Sequence, residues 1–160
     1  MIGATADAVF DLELDVEAHA ASLPGTGETT TTSTGRSILG LGDEVTFRAR
    51  HFGIWWIMTT KVTVYERPHR FVDEQVRGPF RSLRHEHVFE AHDSTSTRMT
   101  DRMSAVLPLG PLGRAAARVM LTPYMGRLLH RRASNIKRAW RTSPIRIRAC
   151  RVDRVTIYTA

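Results

Sequence analysis

The sequence predicts an α+β domain in which a curved antiparallel sheet of about six or seven strands wraps around one long C-terminal helix. Three observations carry that prediction. Five strand-length segments follow one another between residues 44 and 107, broken by short turns. One long helical pattern, Arg114–Trp140, closes the series. The chain has 160 residues, 42% of them hydrophobic, which suits one core, since compact domains cluster at about 100–150 residues.

Each element has a local reason. Thr5–Leu14 reads as a short helix, with Thr5 as a hydroxyl N-cap and Ala8, Val9, Phe10 and Leu12 as apolar surface. Val16–Leu23 reads as a second, stopped by Pro24-Gly25. Glu28–Ser37 is rich in Thr, whose branched side chains favour a strand. The turn Gly40–Asp43 leads to strands Glu44–Phe52, Gly53–Tyr65, Phe71–Arg77, Arg81–Ala91 and Thr97–Leu107. Their breaks at Arg67-Pro68-His69, Gly78-Pro79 and His92–Ser96 suit an antiparallel meander. Pro108–Gly113 leads into the long helix, where Ala115, Val119, Leu128, Leu129, Ile136 and Trp140 are apolar and Pro123 should cause a kink. Residues 1–142 therefore form the domain. In the tail, Ile145-Arg146-Ile147-Arg148 followed by Val152, Val155 and Ile157 is compatible with an extra strand. Its four arginines and terminal position favour a poorly ordered segment instead.

Composition excludes several classes. A lone cysteine, Cys150, rules out an internal disulfide framework and a multi-Cys zinc module. The longest apolar cluster, Ile54-Trp55-Trp56-Ile57-Met58, is far short of the ~20 residues of a membrane span, and the start lacks a basic-then-apolar leader. A cytoplasmic domain is the expectation. Gly-x-Ser-x-Gly, Gly-x-Gly-x-x-Gly and a Walker loop are all missing. Charge is uneven: residues 1–44 hold eight acids and one base, whereas residues 45–160 hold eight acids and 22 bases. Gly110–Thr142 alone carries Arg114, Arg118, Arg127, Arg131, Arg132, Lys137, Arg138 and Arg141 and no acid. Such a run reads first as a solvated helix face opposed by the acidic N-terminal segment. As a functional alternative it makes an interaction module for nucleic acid or an anionic membrane surface. No base-reading motif supports nucleic acid, so peripheral membrane contact is the stronger form of that alternative.

Sorting strands by face gives the most specific signal. Alternate residues point to opposite sides, so apolar members mark the interior. Leu83 and Phe89 share their side with His85 and His87, and Met99, Met103, Ala105 and Leu107 share theirs with Asp101. Val45, Phe47 and Ala49 carry His51 inward, and Trp56, Met58, Val62 and Val64 form another inward set. The parity of Phe71 points Asp73 and Gln75 inward, against the competing parity of Val72 and Val76. Arg84, Glu86 and Glu90 face away and should be wet. An unpartnered buried polar group costs roughly 2–7 kcal/mol, so these inward groups must bond one another, line a hydrated cavity or hold a ligand. His85, His87 and Asp101 are the candidate acid–base residues, an Asp fixing the imidazole tautomer for proton transfer near neutral pH. A His/Asp metalloenzyme is a further alternative, since two His and a carboxylate can take iron or zinc. The Glu and the distant His of a cupin-type site are absent from the pattern, so no metal or cofactor is expected.

The runs Gly40–Gly53, Arg67–Phe80 and Arg84-His85-Glu86-His87-Val88-Phe89 resemble the bacterial SRPBCC (START/polyketide cyclase-like) proteins. So do Thr97-Arg98-Met99-Thr100-Asp101-Arg102 and Leu107-Pro108-Leu109-Gly110-Pro111-Leu112-Gly113. The resemblance covers roughly residues 2–142. It implies a helix-grip fold with two small N-terminal helices and a cavity between sheet and long helix for a small hydrophobic or amphipathic molecule. Lipid binders, cyclases and dehydratases all occur in that superfamily, so a carrier and a cyclase/dehydratase-like enzyme are both implied. The expected ligand pocket comprises His51, Phe47, Trp56, Met58, Phe71, Asp73, Gln75, Leu83, Phe89, Met99 and Met103. Such proteins begin with a full strand, whereas here only Met1–Ala4 precede the first helix, which should leave a sheet edge exposed. Ligand identity and oligomeric state are not legible.

Overall fold

A computed structural model describes residues 2–21, 27–51, 53–108, 110–142 and 154–159. Pro24-Gly25, Ile145–Arg148 and Cys150 lie outside the described residues, as do the side chains of Arg114, Leu129, Arg132, Ile136, Lys137, Arg138, Trp140 and Arg141. Helix α1 (Ala6–Leu14) starts where Thr5 Oγ1 accepts the Ala8 N–H at 3.4 Å. Asp15 ends it and caps α2 (Val16–Ala21), accepting the Glu17 and Ala18 N–H groups at 2.9 and 3.2 Å. Strands β1 (Thr29–Thr32), β2 (Glu44–His51), β3 (Ile54–Glu66), β4 (Arg70–Arg77), β5 (Ser82–Asp93) and β6 (Ser96–Val106) pair in chain order, each antiparallel to the next. This is the α+β helix-grip arrangement.

The C-terminal helix begins earlier than its apolar pattern suggests and comes in three pieces. These are α3 (Gly110–Ala116), a π-helical turn (Ala117–Leu121) and α4 (Thr122–Thr142). Pro123 therefore lies in the first turn of α4, where its missing N–H is tolerated, and the irregularity is taken up by the π turn before it.

The β6 edge is not bare. Ile2 exchanges two backbone hydrogen bonds with Thr97 (2.6 and 2.7 Å), and Thr97 Oγ1 donates to the Ala4 carbonyl at 2.7 Å. Further along, β7 (Arg154–Thr159) pairs parallel with Thr100–Ala105. The expectation of a poorly ordered tail thus meets a strand in its described part.

Phe10 of α1 is fully buried and packs edge-on against Tyr65, Phe71 and Phe89, with ring centroids 5.1, 5.5 and 5.4 Å away. These rings and Ile2, Val9, Leu14, Val16, Leu39, Val45, Val62 and Met99 make one core cluster. A second joins Leu83, Met103 and Ala105 to Met58, Phe80, Leu121 and Met125. The acidic α1 is tied to the β3–β4 turn, because Arg67 holds Asp7 at 3.0 Å and Asp11 at 2.9 Å. Of the basic run, Arg118, Arg127 and Arg131 are exposed.

The outer face departs from expectation at one patch. Glu86 is buried there, ringed by Arg70 and Arg102 at 3.2 Å and Arg84 at 3.7 Å. Burial works to raise its pKa, but these guanidinium groups hold it below the ordinary value. Val72 pairs directly with Glu86 and is as buried as Phe71 beside it, so β4 is buried on both faces there, whereas Val76 of the competing parity is exposed. A register shift between Val62 and Val64 accompanies this.

Candidate functional site

Between the two core clusters the chain leaves a cavity of about 180 Å³ unfilled by its own side chains. Of the residues expected to line it, Phe47, His51, Trp56, Met58, Phe71, Asp73, Leu83, His85, His87 and Met103 do so. Four do not. Phe89 and Met99 are cross-strand partners in the cluster around Phe10. Gln75 clamps the β4–β5 turn, donating to the Phe80 carbonyl at 2.8 Å and accepting the Phe80 N–H at 3.3 Å. Asp101 sits behind the histidines, in direct register with His87.

Asp73, His85, His87 and Asp101 form one buried cluster because strand alternation and register put them together. His85 and His87 are two apart on β5, so both rings project to the same side, with centroids 3.9 Å apart. Asp73 pairs with His85 across β4–β5 and Asp101 with His87 across β5–β6. Each imidazole thus lies between two carboxylates. Asp101 Oδ1 is 2.8 Å from His87 Nδ1 and 3.5 Å from His85 Nε2. Asp73 Oδ2 is 3.4 Å from His87 Nε2 and 3.9 Å from His85 Nδ1. Side-chain exposure falls from 20% at Asp73 to 9% at Asp101 and 3% at His87, so Asp73 is the cavity-facing carboxylate.

These approaches are ionic contacts rather than aligned hydrogen bonds. His85 Nε2, His87 Nδ1 and Asp101 Oδ1 are buried without an aligned partner, even at 2.8 Å. Burial alone would lower the His87 pKa, yet the two carboxylates outweigh it and raise it to about 9. For Asp101, burial works upward, but the histidines hold it well below the ordinary carboxylate range. His87 is therefore an imidazolium at neutral pH, held between Asp101 and Asp73. One donor atom each from Asp73, His85 and His87 lies within 4.8 Å of the others, a spacing that a divalent ion can collect. An ion binding there would first have to displace the His87 proton.

A second polar pair crosses the cavity. His51 Nδ1 on β2 lies 2.6 Å from the Tyr124 hydroxyl on α4. Burial lowers the His51 pKa and raises that of Tyr124, so a neutral ring shares a hydrogen bond with a protonated phenol, the tautomer deciding which of them donates. A third group comes from the N-terminal helices, the residue between them and the one before β1: Glu13, Asp15, His19 and Glu28 line the opposite wall. The His19 ring packs tilted against Phe47, centroids 4.7 Å apart, and lies 3.5 Å from Glu28. These residues and Tyr124 are additions to the sequence reading, although weak signals existed. Glu13 follows Phe10 at i+3, His19 follows Val16 at i+3, and Leu121, Tyr124, Met125 and Leu128 trace one helical stripe.

Among the described residues no helix is long and apolar enough to cross a membrane. The fold recurs in solved structures of low sequence identity. Protein TTHA0849 of Thermus thermophilus superposes with a TM-score of 0.68 at 14% identity, over 86% of this chain and 90% of that one. Protein Ms6760 of Mycobacterium smegmatis gives 0.63 at 10%, over 89% and 87%. Protein CV1439 of Chromobacterium violaceum gives 0.58 at 12%, over 86% and 90%. No curated protein matches the sequence significantly. The family described as polyketide cyclase / dehydrase and lipid transport matches residues 2–132, and the chain belongs to it.

Proposed function

We propose that the chain binds a small hydrophobic or amphipathic molecule in this cavity. The apolar body would lie against Phe47, Trp56, Leu121 and Met125, and the polar end would meet Asp73, His85 and His87. The observation that carries this reading is the cavity itself, in which apolar side chains and ionisable groups line the same space. Side chains that line such a hollow forgo packing contacts, so a chain that keeps one gains from a guest that fills it. A second reading, a cyclase/dehydratase-like enzyme, is favoured by His87, which lines the cavity as an imidazolium and so carries a proton to give at neutral pH.

Titration with the neutral dye Nile red tests the binding reading. We expect saturable binding near one dye per chain, with quenching of tryptophan emission as Trp56 meets the guest. Met125→Trp should push ring volume into the space and weaken binding by about tenfold, the cost of one clash worth ~1.4 kcal/mol. Absence of saturable binding, or identical affinity in Met125→Trp, refutes the assignment.

A further inference from the structure

The chain carries 23 Lys and Arg against 16 Asp and Glu, yet among the described residues no Lys or Arg lines the cavity. Its ionisable lining consists of four acids, Glu13, Asp15, Glu28 and Asp73, with four histidines, His19, His51, His85 and His87, and Tyr124. The basic groups are turned elsewhere. Arg70, Arg84 and Arg102 ring Glu86 on the outer face, Arg67 holds α1, and Arg48 lies over the Trp55 ring at 4.1 Å. An anionic head group entering the cavity would meet Asp73 at one wall and Glu13, Asp15 and Glu28 at the other. It would find no guanidinium or ammonium to pair with among the described side chains.

We infer that the cavity selects an amphipathic molecule whose polar end is a protonated amine, and that it rejects carboxylate and phosphate heads of similar length. This rests on the binding reading above and adds the chemical class of the guest. At the strand wall Asp73 is the carboxylate that faces the cavity, 3.4 Å from His87 Nε2, and its oxygens can accept from a donor head group. His85, more than nine-tenths buried, lines the cavity beside it, with Nδ1 3.9 Å from Asp73 Oδ2. An ammonium group supplies three N–H donors to such a wall, whereas a carboxylate supplies none. Like charges brought together out of water repel strongly, which selects against an anionic head.

The net charge of +7 makes the test sharp, because long-range attraction draws anions toward this protein. A preference for amines can then come only from the cavity. Dodecylamine, dodecanol and dodecanoate, each below its micellar concentration at pH 7, would compete against Nile red. We expect dodecylamine to displace the dye at about tenfold lower concentration than dodecanoate or better, with dodecanol between them. Asp73→Asn should narrow that ratio to about threefold; if that variant fails to fold, Glu28→Gln provides the same comparison at the opposite wall. Displacement by dodecanoate as effective as by the amine overturns the charge selection and leaves the binding reading intact. If the dye binds saturably and none of the three displaces it, this inference falls while the binding reading stands; if the dye itself does not bind, both fall.

Discussion

At the scale of single residues, His87 decides the pH behaviour of the molecule. Its folded pKa of about 9 lies above the ordinary 6.5, so the native state holds the proton more tightly than the unfolded chain does. The stabilisation is therefore complete below pH ~6.5 and disappears as pH rises through about 9. Asp101 has the opposite sign. Its lowered pKa stabilises above the ordinary carboxylate range and is lost on acidification. The cluster thus contributes most between roughly pH 4 and 6.5, and the upper limb amounts to on the order of 3 kcal/mol. Thermal melts should show Tm falling by about 5–10 °C from pH 6.5 to 9, and His87→Gln should flatten that limb. A Tm slope that survives His87→Gln would contradict the assignment. The same variant separates carrier from enzyme: in an enzyme it abolishes turnover of a carbonyl substrate, and in a carrier it only shifts affinity.

At the scale of elements, what the sequence made legible depended on whether one element or two had to be known. His85 and His87 sit with Leu83 and Phe89 on a single strand, so alternation alone turned them inward. Asp101 followed from Met99 and Met103 in the same way. Asp73 was ambiguous because β4 is buried on both faces at Phe71 and Val72, which defeats parity. Gln75 had the right parity and still missed the cavity, because its amide answers the backbone of Phe80. Glu13, His19 and Tyr124 were missed because a helix's inner face is defined by its partner, and α1, α2 and α4 meet the sheet at positions no local pattern fixes; Glu28 precedes β1, where no alternation orients it. Tyr124 is the clearest case: in the sequence it stands beside Pro123, read as a kink, yet in the fold it ties α4 to β2. Removing that tie with Tyr124→Phe should cost about 1 kcal/mol, the net value of one hydrogen bond. If the tie also restrains α4 over the cavity, Nile red should dissociate about fivefold faster, as the same energy prescribes. Stopped-flow release at unchanged speed would show that Tyr124 contributes only to stability.

At the scale of the whole molecule, the cavity is a compromise between packing and binding. Interiors of proteins pack at crystal density, so space that side chains of this sheet could fill is a standing cost. Ala49 on β2 is buried, lines the cavity and shares the inward face with Val45, Phe47 and His51. A methyl there, where Val or Ile would suit the strand better, leaves room beside Trp56, its partner across β2–β3. Ala49→Val should therefore stabilise the fold by about 1 kcal/mol, by burying two further methyl groups and improving strand propensity. That corresponds to a Tm gain of roughly 2–4 °C at this chain length. Nile red affinity should fall at the same time, because the added methyl groups occupy volume the guest requires. The two readouts must move in opposite directions. A variant that gains stability and keeps its affinity would mean that the guest lies away from β2, against the helix-facing residues Leu121 and Met125. A variant that loses both would mean that the space beside Ala49 is already occupied by its neighbours, and that the hollow is shaped for packing rather than for a guest.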